Sequence, residues 1–169
     1  MAQLQSTSVS PREFRKALGH FATGVTVITT VEEGHVHSMT ANAFMSVSLD
    51  PPLVVVAVDN RSHMHTYLSH VERYAVNILS KEQEALSPYF AGLSRQQFNL
   101  SFLWKYDLPL LEGALAHLAC RVVDIHPAGD HTLYIAEVEH LDYQEGTPLL
   151  FYTGEYRCLE VQVHDWSMW

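Results

Sequence analysis

The sequence predicts a mainly β protein: an antiparallel barrel with helices at its periphery. Three observations carry this. Seven or eight short β-prone runs follow one another at close spacing with turn residues between them. Only two or three helical patterns interrupt them, and not in the strict βαβ alternation of a parallel sheet. No two of the eight glycines stand as GxG, so the nucleotide-binding fingerprint of doubly wound folds is missing, as is the phosphate loop GxxxxGK[ST].

The first element is a predicted helix. Ser10 caps it, Pro11 suits its first position, and Glu13 stands at the capping-box position. Phe14, Ala17, Leu18 and Phe21 recur at i, i+3, i+4 and i+7, the pattern of one buried face. Gly24 ends it. Val25 to Val31 is rich in β-branched residues and predicts a strand, Glu33-Gly34 a turn, and His35 to Thr40 the return arm of a hairpin.

Ser38 to Pro52 carries no charge before Asp50 and is rich in hydroxyls and small side chains. Such a stretch reads as a Ser/Thr-rich strand with a turn, or as a cradle holding an anionic ligand with backbone N–H groups and short side chains. Pro51-Pro52 halts local structure. Leu53 to Val58 is continuously apolar and predicts a strand buried on both faces. Asp59 to Ser62 is a turn, with Asn60 or Ser62 capping a helix from His63 to about His70 whose inner face is Met64, Tyr67, Leu68 and Val71. Tyr74 to Leu79 predicts a strand. Ser80 caps a helix from Lys81, with Gln83 at the capping-box position and Leu86 inward.

Between Ala91 and Leu111 the pattern weakens, and Phe98, Phe102, Trp104 and Tyr106 read as core or lid packing. Strands are predicted at Leu115–Val123, His131–His140, Leu149–Tyr152 and Tyr156–Val161, with a turn at Pro127 to Asp130 and further breaks at Gly146 and Gly154. Residues 1–9 form a polar leader, and the tail from about 162 to 169 is unassigned. The whole, 1–169, has the length of one domain.

Composition narrows the function. A net charge of −9 argues against nonspecific nucleic-acid binding, which needs clustered Lys and Arg. The longest apolar run, Pro51 to Val58, is too short for a membrane span, and the amino terminus lacks the order of a signal peptide, so a cytoplasmic protein is expected. Cys120 and Cys158 read as two buried thiols rather than a disulfide. Among the 11 histidines, His35/His37 and His63/His65 are the closest pairs, but no Cys, Asp or Glu completes a ligand set, so no metal is expected. No GxSxG marks a hydrolase nucleophile. Gly129-Asp130-His131-Thr132 is a turn delivering a histidine to the start of a strand, at a barrel rim.

Several of these stretches together are similar to the short-chain flavin reductase family, the reductase components of two-component flavin monooxygenases such as the phenol and 4-hydroxyphenylacetate hydroxylases. Phe21 to Val27, Thr40-Ala41-Asn42, Ser46-Val47-Ser48, Tyr74 to Ser80, Phe90-Ala91-Gly92, Gly129 to Leu133 and Pro148 to Tyr156 stand in the family's order, from about Phe14 to Leu159. The resemblance implies a split β-barrel of the FMN-binding flavin-reductase type, a homodimer, and NAD(P)H-dependent reduction of FAD or FMN, with NADH preferred to NADPH. The reduced flavin would pass to an oxygenase component that hydroxylates an aromatic substrate. A flavin-binding electron carrier or ferric reductase on the same fold is the alternative.

The resemblance also implies site residues. Met39, Thr40, Ala41 and Asn42 would border the isoalloxazine. Ser46, Val47 and Ser48 would lie near the ribityl or phosphate part. Asp59, Asn60, Arg61, Ser62 and His63 would close over the phosphate, with Arg61 as charge partner. Phe90, Ala91 and Gly92 would approach the flavin. His131 and the segment Tyr152, Thr153, Gly154, Glu155 and Tyr156 would meet the nicotinamide nucleotide. Hydride transfer asks the protein mainly to hold two rings with reacting atoms about 3–3.5 Å apart, which accounts for the lack of an obvious acid–base pair.

Overall fold

A computed structural model describes residues 9–159. Helix α1 spans Pro11–Leu18, where Ser10 Oγ accepts from the Glu13 N–H and donates to the Glu13 carboxylate. Strands β1 (Thr23–Gly24) and β2 (Thr26–Glu32) follow, then β3 (His35–Ala41), β4 (Phe44–Leu49) and β5 (Pro52–Asp59). Helix α2 (His63–Leu68), capped by Ser62 Oγ on the His65 N–H, leads to β6 (Arg73–Ile78). A 3₁₀ turn (Lys81–Gln83) and α3 (Leu86–Phe90) precede the hairpin β7 (Phe102–Lys105) and β8 (Leu108–Leu111). Two long strands, β9 (Ala116–Ala128) and β10 (His131–Tyr143), and the short hairpin β11 (Leu150–Tyr152) and β12 (Glu155–Arg157) complete the order.

Seven strands form one antiparallel sheet in the order β3-β2-β6-β9-β10-β5-β4. Its two edges are consecutive in the chain, joined only by Asn42 and Ala43. In a flat sheet those edges would stand about 29 Å apart, six strand spacings of ~4.8 Å. Three Cα steps bridge at most about 11 Å. The sheet must therefore curl into a barrel, and no β3–β4 ladder closes it among the described residues, which leaves it split at that seam.

Alternation along the strands fills the barrel. Ile28, Val54, Val56, Val58, Tyr74, Val76, Tyr134 and Ala136 point inward, and Met64 and Leu68 of α2 belong to the same cluster. Each such aliphatic side chain contributes roughly 1.5–3 kcal/mol by leaving water. A second cluster outside the barrel joins Val25, Val27, Leu79, Leu111 and Leu149 to α3 and to Phe151 and Tyr156. Asn77, fully buried, ties hairpin β7–β8 to this layer: its Nδ2 donates to Val27 O and Thr29 Oγ1, and its Oδ1 accepts from Leu111 N at 2.7 Å.

Several expectations need correction. The α1 face predicted to be buried is open: no residue of the helix is buried, and Phe14, Leu18 and Phe21 are exposed. Helical periodicity encodes an apolar face but not what covers it. The run Leu53–Val58 is buried on one face only, because Val55 and Ala57 line a cleft rather than a second core. The weak region contains hairpin β7–β8, with Trp104 and Tyr106 exposed and the Tyr106 ring stacked on His140. The helix expected from Lys81 is a 3₁₀ turn; Gln83 accepts from Ser80 N as a capping-box residue would, but its Nε2 donates to Glu112 O.

Pro127 and Ala128 belong to β9, so the turn before His131 is only Gly129-Asp130. Gly129 takes φ +66°, which its missing side chain permits. Cys120 is buried and its thiol is pushed up to about 12 by loss of solvent, whereas Cys158 is exposed, just past the end of β12. The last predicted strand is β12, which ends at Arg157 with Cys158 and Leu159 beyond it in no strand; Glu160 and Val161 of the expected range, like the polar leader before Val9 and the tail, lie outside the described residues.

Candidate active site

The same alternation that fills the barrel builds a cleft on its outer face. Ala57 pairs with Leu133 and Asp59 with His131 across β5 and β10. Val55, Ala57 and Leu133 form part of the cleft wall, while their neighbours Val56, Val58, Thr132 and Tyr134 are buried. The seam residues Asn42, Ala43, Phe44 and Met45 line a further part, and Ala57 N donates to Ala43 O at 2.9 Å to hold the seam against β5.

The remaining lining comes from Arg15, Leu18, Gly19, Phe21 and Thr23 together with Phe151 and Gly154. Thr153 N donates to Gly19 O at 2.8 Å, joining the tip of hairpin β11–β12 to the end of α1. That tip is a two-residue turn with φ of 51° at Thr153 and 84° at Gly154. The second position is eased by glycine, and a left-handed pair matches the twist of a tight hairpin. The cleft measures about 800 Å³ and its lining is mostly apolar.

Polar groups gather at one end of this face. His131 and Asp59 stand beyond Leu133 and Ala57, with the alternation placing all four on one side of the sheet. Nδ1 of His131 lies 2.7 Å from Asp130 Oδ1. A carboxylate only accepts, so Nδ1 carries the proton and Nε2 is left for a ligand. The bond from His131 holds the Asp130 carboxyl below its ordinary range.

Asn60 joins the two turns. Its N–H donates to Asp130 O at 3.0 Å, and its Oδ1 accepts from Thr132 Oγ1 at 2.7 Å. Arg61 folds back on Asp59, with Nε 3.2 Å from Oδ1 and a terminal nitrogen 2.8 Å from Oδ2, and this fork keeps the Asp59 carboxyl well below its usual range.

The residues expected at the site therefore divide. Asn42 and Gly154 line the cleft. Asp59, Asn60, Arg61 and His131 form one cluster at its end. Ser62 and His63 open α2, and the Ser62 hydroxyl is engaged there as a cap. Ser46 and Val47 are exposed on edge strand β4, where a bulge between Ser46 and Ser48 displaces Val47 from the ladder. Met39 packs on the barrel core and Ala41 is buried in it.

Other expected residues serve to hold the surrounding elements. Thr40 Oγ1 donates to Ser87 O at 2.7 Å, fastening α3, with its successors Ala91 and Gly92, to β3. Tyr156 donates to Ser87 Oγ at 2.8 Å and packs with Phe90 in the outer cluster. Tyr152 meets His20 edge-on, while Thr153 and Glu155 are exposed on the hairpin.

Sequence reasoning missed most of the apolar lining. Val55, Ala57 and Leu133 carried a signal, since they sit out of phase with the inward residues of their strands. The apolar face of α1 was visible but read as a face buried in the core, not as part of a cleft wall.

Residues 18–160 match the Flavin reductase like domain. The chain belongs to that family. It is 52% identical over 160 residues to an NADH-dependent flavin reductase of Rhodococcus sp., covering 93% of this chain and 91% of that one. It is 38% identical over 147 residues to the 4-hydroxyphenylacetate 3-monooxygenase reductase component of Thermus thermophilus, covering 86% and 95%. The solved structure of the flavin reductase PheA2 in its native state superposes with a TM-score of 0.89 at 48% identity, covering 90% of this chain and all of that one.

A flavin would fit this cleft. The volume lies within the range of small-molecule sites, and the lining offers Phe44 and Phe151 as aromatic surface. Thr23 Oγ1, in that lining, is a buried oxygen with no hydrogen-bond partner among the described residues. An orphaned hydroxyl of this kind fits a site completed by something other than the chain itself.

Proposed function

We propose that this protein is an NADH-dependent flavin reductase that reduces FAD or FMN and supplies the reduced flavin to the oxygenase component of an aromatic-hydroxylating monooxygenase. The observation that carries it is the mostly apolar cleft with His131 at the end of the same sheet face. The relatives' activities support the reading: one is an NADH-dependent flavin reductase, another the reductase component of 4-hydroxyphenylacetate 3-monooxygenase.

A bound flavin supplies the hydride-accepting ring. The chain's own task is positional. The apolar walls exclude water and offer flat surface, Asn42 presents an amide at the seam, and Ser46 and Ser48 offer hydroxyls along β4. His131, oriented by Asp130, directs Nε2 to the nicotinamide nucleotide. NADPH is the weaker donor in this reading, by analogy with the family and because no pair of arginines marks a pocket for its 2′-phosphate.

The protein works as a homodimer. Phe14, Leu18, Phe21, Met45, Val47 and Leu49 are exposed, from 47% for Val47 to 94% for Leu49, and Leu18, Phe21 and Met45 also line the cleft. A second copy lying there would bury this surface and complete the cleft's walls. No helix among the described residues is long and apolar enough to cross a membrane, and a cytoplasmic location gives access to NADH.

The test is NADH oxidation by purified protein with no flavin, with FMN and with FAD. Oxidation that requires added flavin and saturates with it is expected. Turnover without added flavin would mean a retained cofactor and favour the electron-carrier alternative. No oxidation with either nicotinamide nucleotide would overturn the proposal.

A further inference from the structure

We infer that Arg15 is the residue that recognises a nucleotide phosphate in the cleft, an assignment that rests on the flavin reductase reading above. Arg15 is the one charged residue in the cleft lining among the described residues. It sits on α1, one turn before Gly19, so its place is fixed by the helix and by the Gly19–Thr153 contact.

Charge pairing sets it apart from the arginine first expected in this role. Arg61 is forked onto Asp59. Arg73 and Arg121 are committed to Glu137 and Glu139 on the outer sheet face, and Arg157 to Glu155. Arg12 and Arg95 are not in the cleft lining. Arg15 has no carboxylate within ion-pair distance among the described residues.

A guanidinium is a planar donor array suited to phosphate oxygens, and beside apolar walls its attraction is screened less than in open water. The need is real here, because a net charge of −9 repels anionic nucleotides at long range. FMN, FAD and NADH all bear phosphate, so the shared chemistry is one or two phosphate groups attached to a planar ring system that the apolar walls hold.

The experiment compares wild type with Arg15→Gln and Arg15→Lys, using FMN, riboflavin and NADH. Equilibrium binding of FMN and of riboflavin is read from flavin fluorescence, and KM values come from NADH oxidation. If Arg15 holds the flavin phosphate, R15Q weakens FMN binding tenfold or more, about 1.4 kcal/mol. Riboflavin, which lacks the phosphate, changes less than twofold. If it holds the dinucleotide's diphosphate, the tenfold loss falls on the KM for NADH and both flavins bind as before. In either case R15K recovers most of the loss, and added salt weakens wild-type binding more than that of R15Q.

Equal losses of FMN and riboflavin binding, or no constant moving more than twofold, would overturn the assignment. Salt covers the case in which R15Q fails to fold: in wild type and R15K, FMN binding and the KM for NADH both unmoved by 0.5 M salt would overturn it equally. Wild-type protein that oxidises no NADH with any flavin would sink the reductase reading instead, and the two failures are thus distinguishable.

Discussion

Replacing Asn77 by Ala tests whether the outer layer of the barrel is held by one buried side chain. Asn77 is fully buried and makes three bonds, two from Nδ2 to Val27 O (2.8 Å) and Thr29 Oγ1 (3.1 Å) and one accepted from Leu111 N (2.7 Å). Thr29 Oγ1 already donates its only proton to Pro109 O at 2.6 Å, so it depends on Asn77 as its donor. The truncation strands the Leu111 N–H in a position only 2% exposed, at a cost of about 1–3 kcal/mol. The emptied volume and the weakened Thr29 contact add roughly 1 kcal/mol.

A loss of about 2–4 kcal/mol follows, a large share of the ~5–15 kcal/mol typical of a domain. With a urea m-value of about 2 kcal/mol/M, the midpoint should fall by roughly 1–2 M. Urea unfolding followed by fluorescence and far-UV circular dichroism measures it. Asn77→Asp sharpens the test. It keeps an acceptor for Leu111 N but faces a carboxylate toward Val27 O, so it should be less stable than N77A at neutral pH and recover as the carboxyl protonates. A midpoint for N77A within 0.3 M of wild type at unchanged m would refute the reasoning.

Other predictions concern the site. Ala57→Leu fills the cleft from its sheet wall and should weaken flavin binding at least tenfold, about 1.4 kcal/mol, with the thermal midpoint nearly unchanged, because Ala57 faces the cleft and not the core; calorimetry and fluorescence titration check both. His131→Ala should raise the KM for NADH about tenfold while flavin affinity stays within twofold, and unchanged steady-state kinetics would remove the assignment. Asp142 accepts from His117 and Lys105, and its carboxyl is held below the ordinary 3.8 chiefly by the His117 bond. Its folded-state value lies under the unfolded one, so its contribution is complete above the ordinary carboxylate range and is lost as pH falls through the lowered value. Thermal melts from about pH 6 to 2 should therefore show a shallower acid loss for Asp142→Asn than for wild type.

Local signals in this chain were legible wherever a short-range rule decides the outcome. The Ser10-Pro11-Glu13 start of α1, the Glu33-Gly34 hairpin turn, the Ser62 cap of α2 and the Gly129-Asp130 corner each follow from backbone sterics or capping within four residues. The hairpin β7–β8 escaped notice because it is specified from a distance, by Asn77 and Thr29 bonding to Leu111 and Pro109. Leu53–Val58 was misread for a related reason. A strand with one face in a core and the other on an apolar cleft has the same composition as one buried twice.

The site divides along the same line. His131, Asn42 and Gly154 stood in motifs, and the structure places Asn42 and Gly154 in the cleft lining and His131 on the cleft-facing side of the sheet. Arg15 of α1, Phe21 of the α1–β1 connection, Phe44 of β4 and Phe151 of β11 are brought together only by the curled sheet. By itself the sequence determined the β class, the family resemblance and the turn that presents His131, because those depend on residue type and near neighbours. Only the tertiary structure decided that α1 and the seam border one cleft, that Arg61 is spent on Asp59 and that Arg15 reaches the cleft, because which charges meet and which apolar faces are covered depend on through-space distance, which residue order along the chain does not encode.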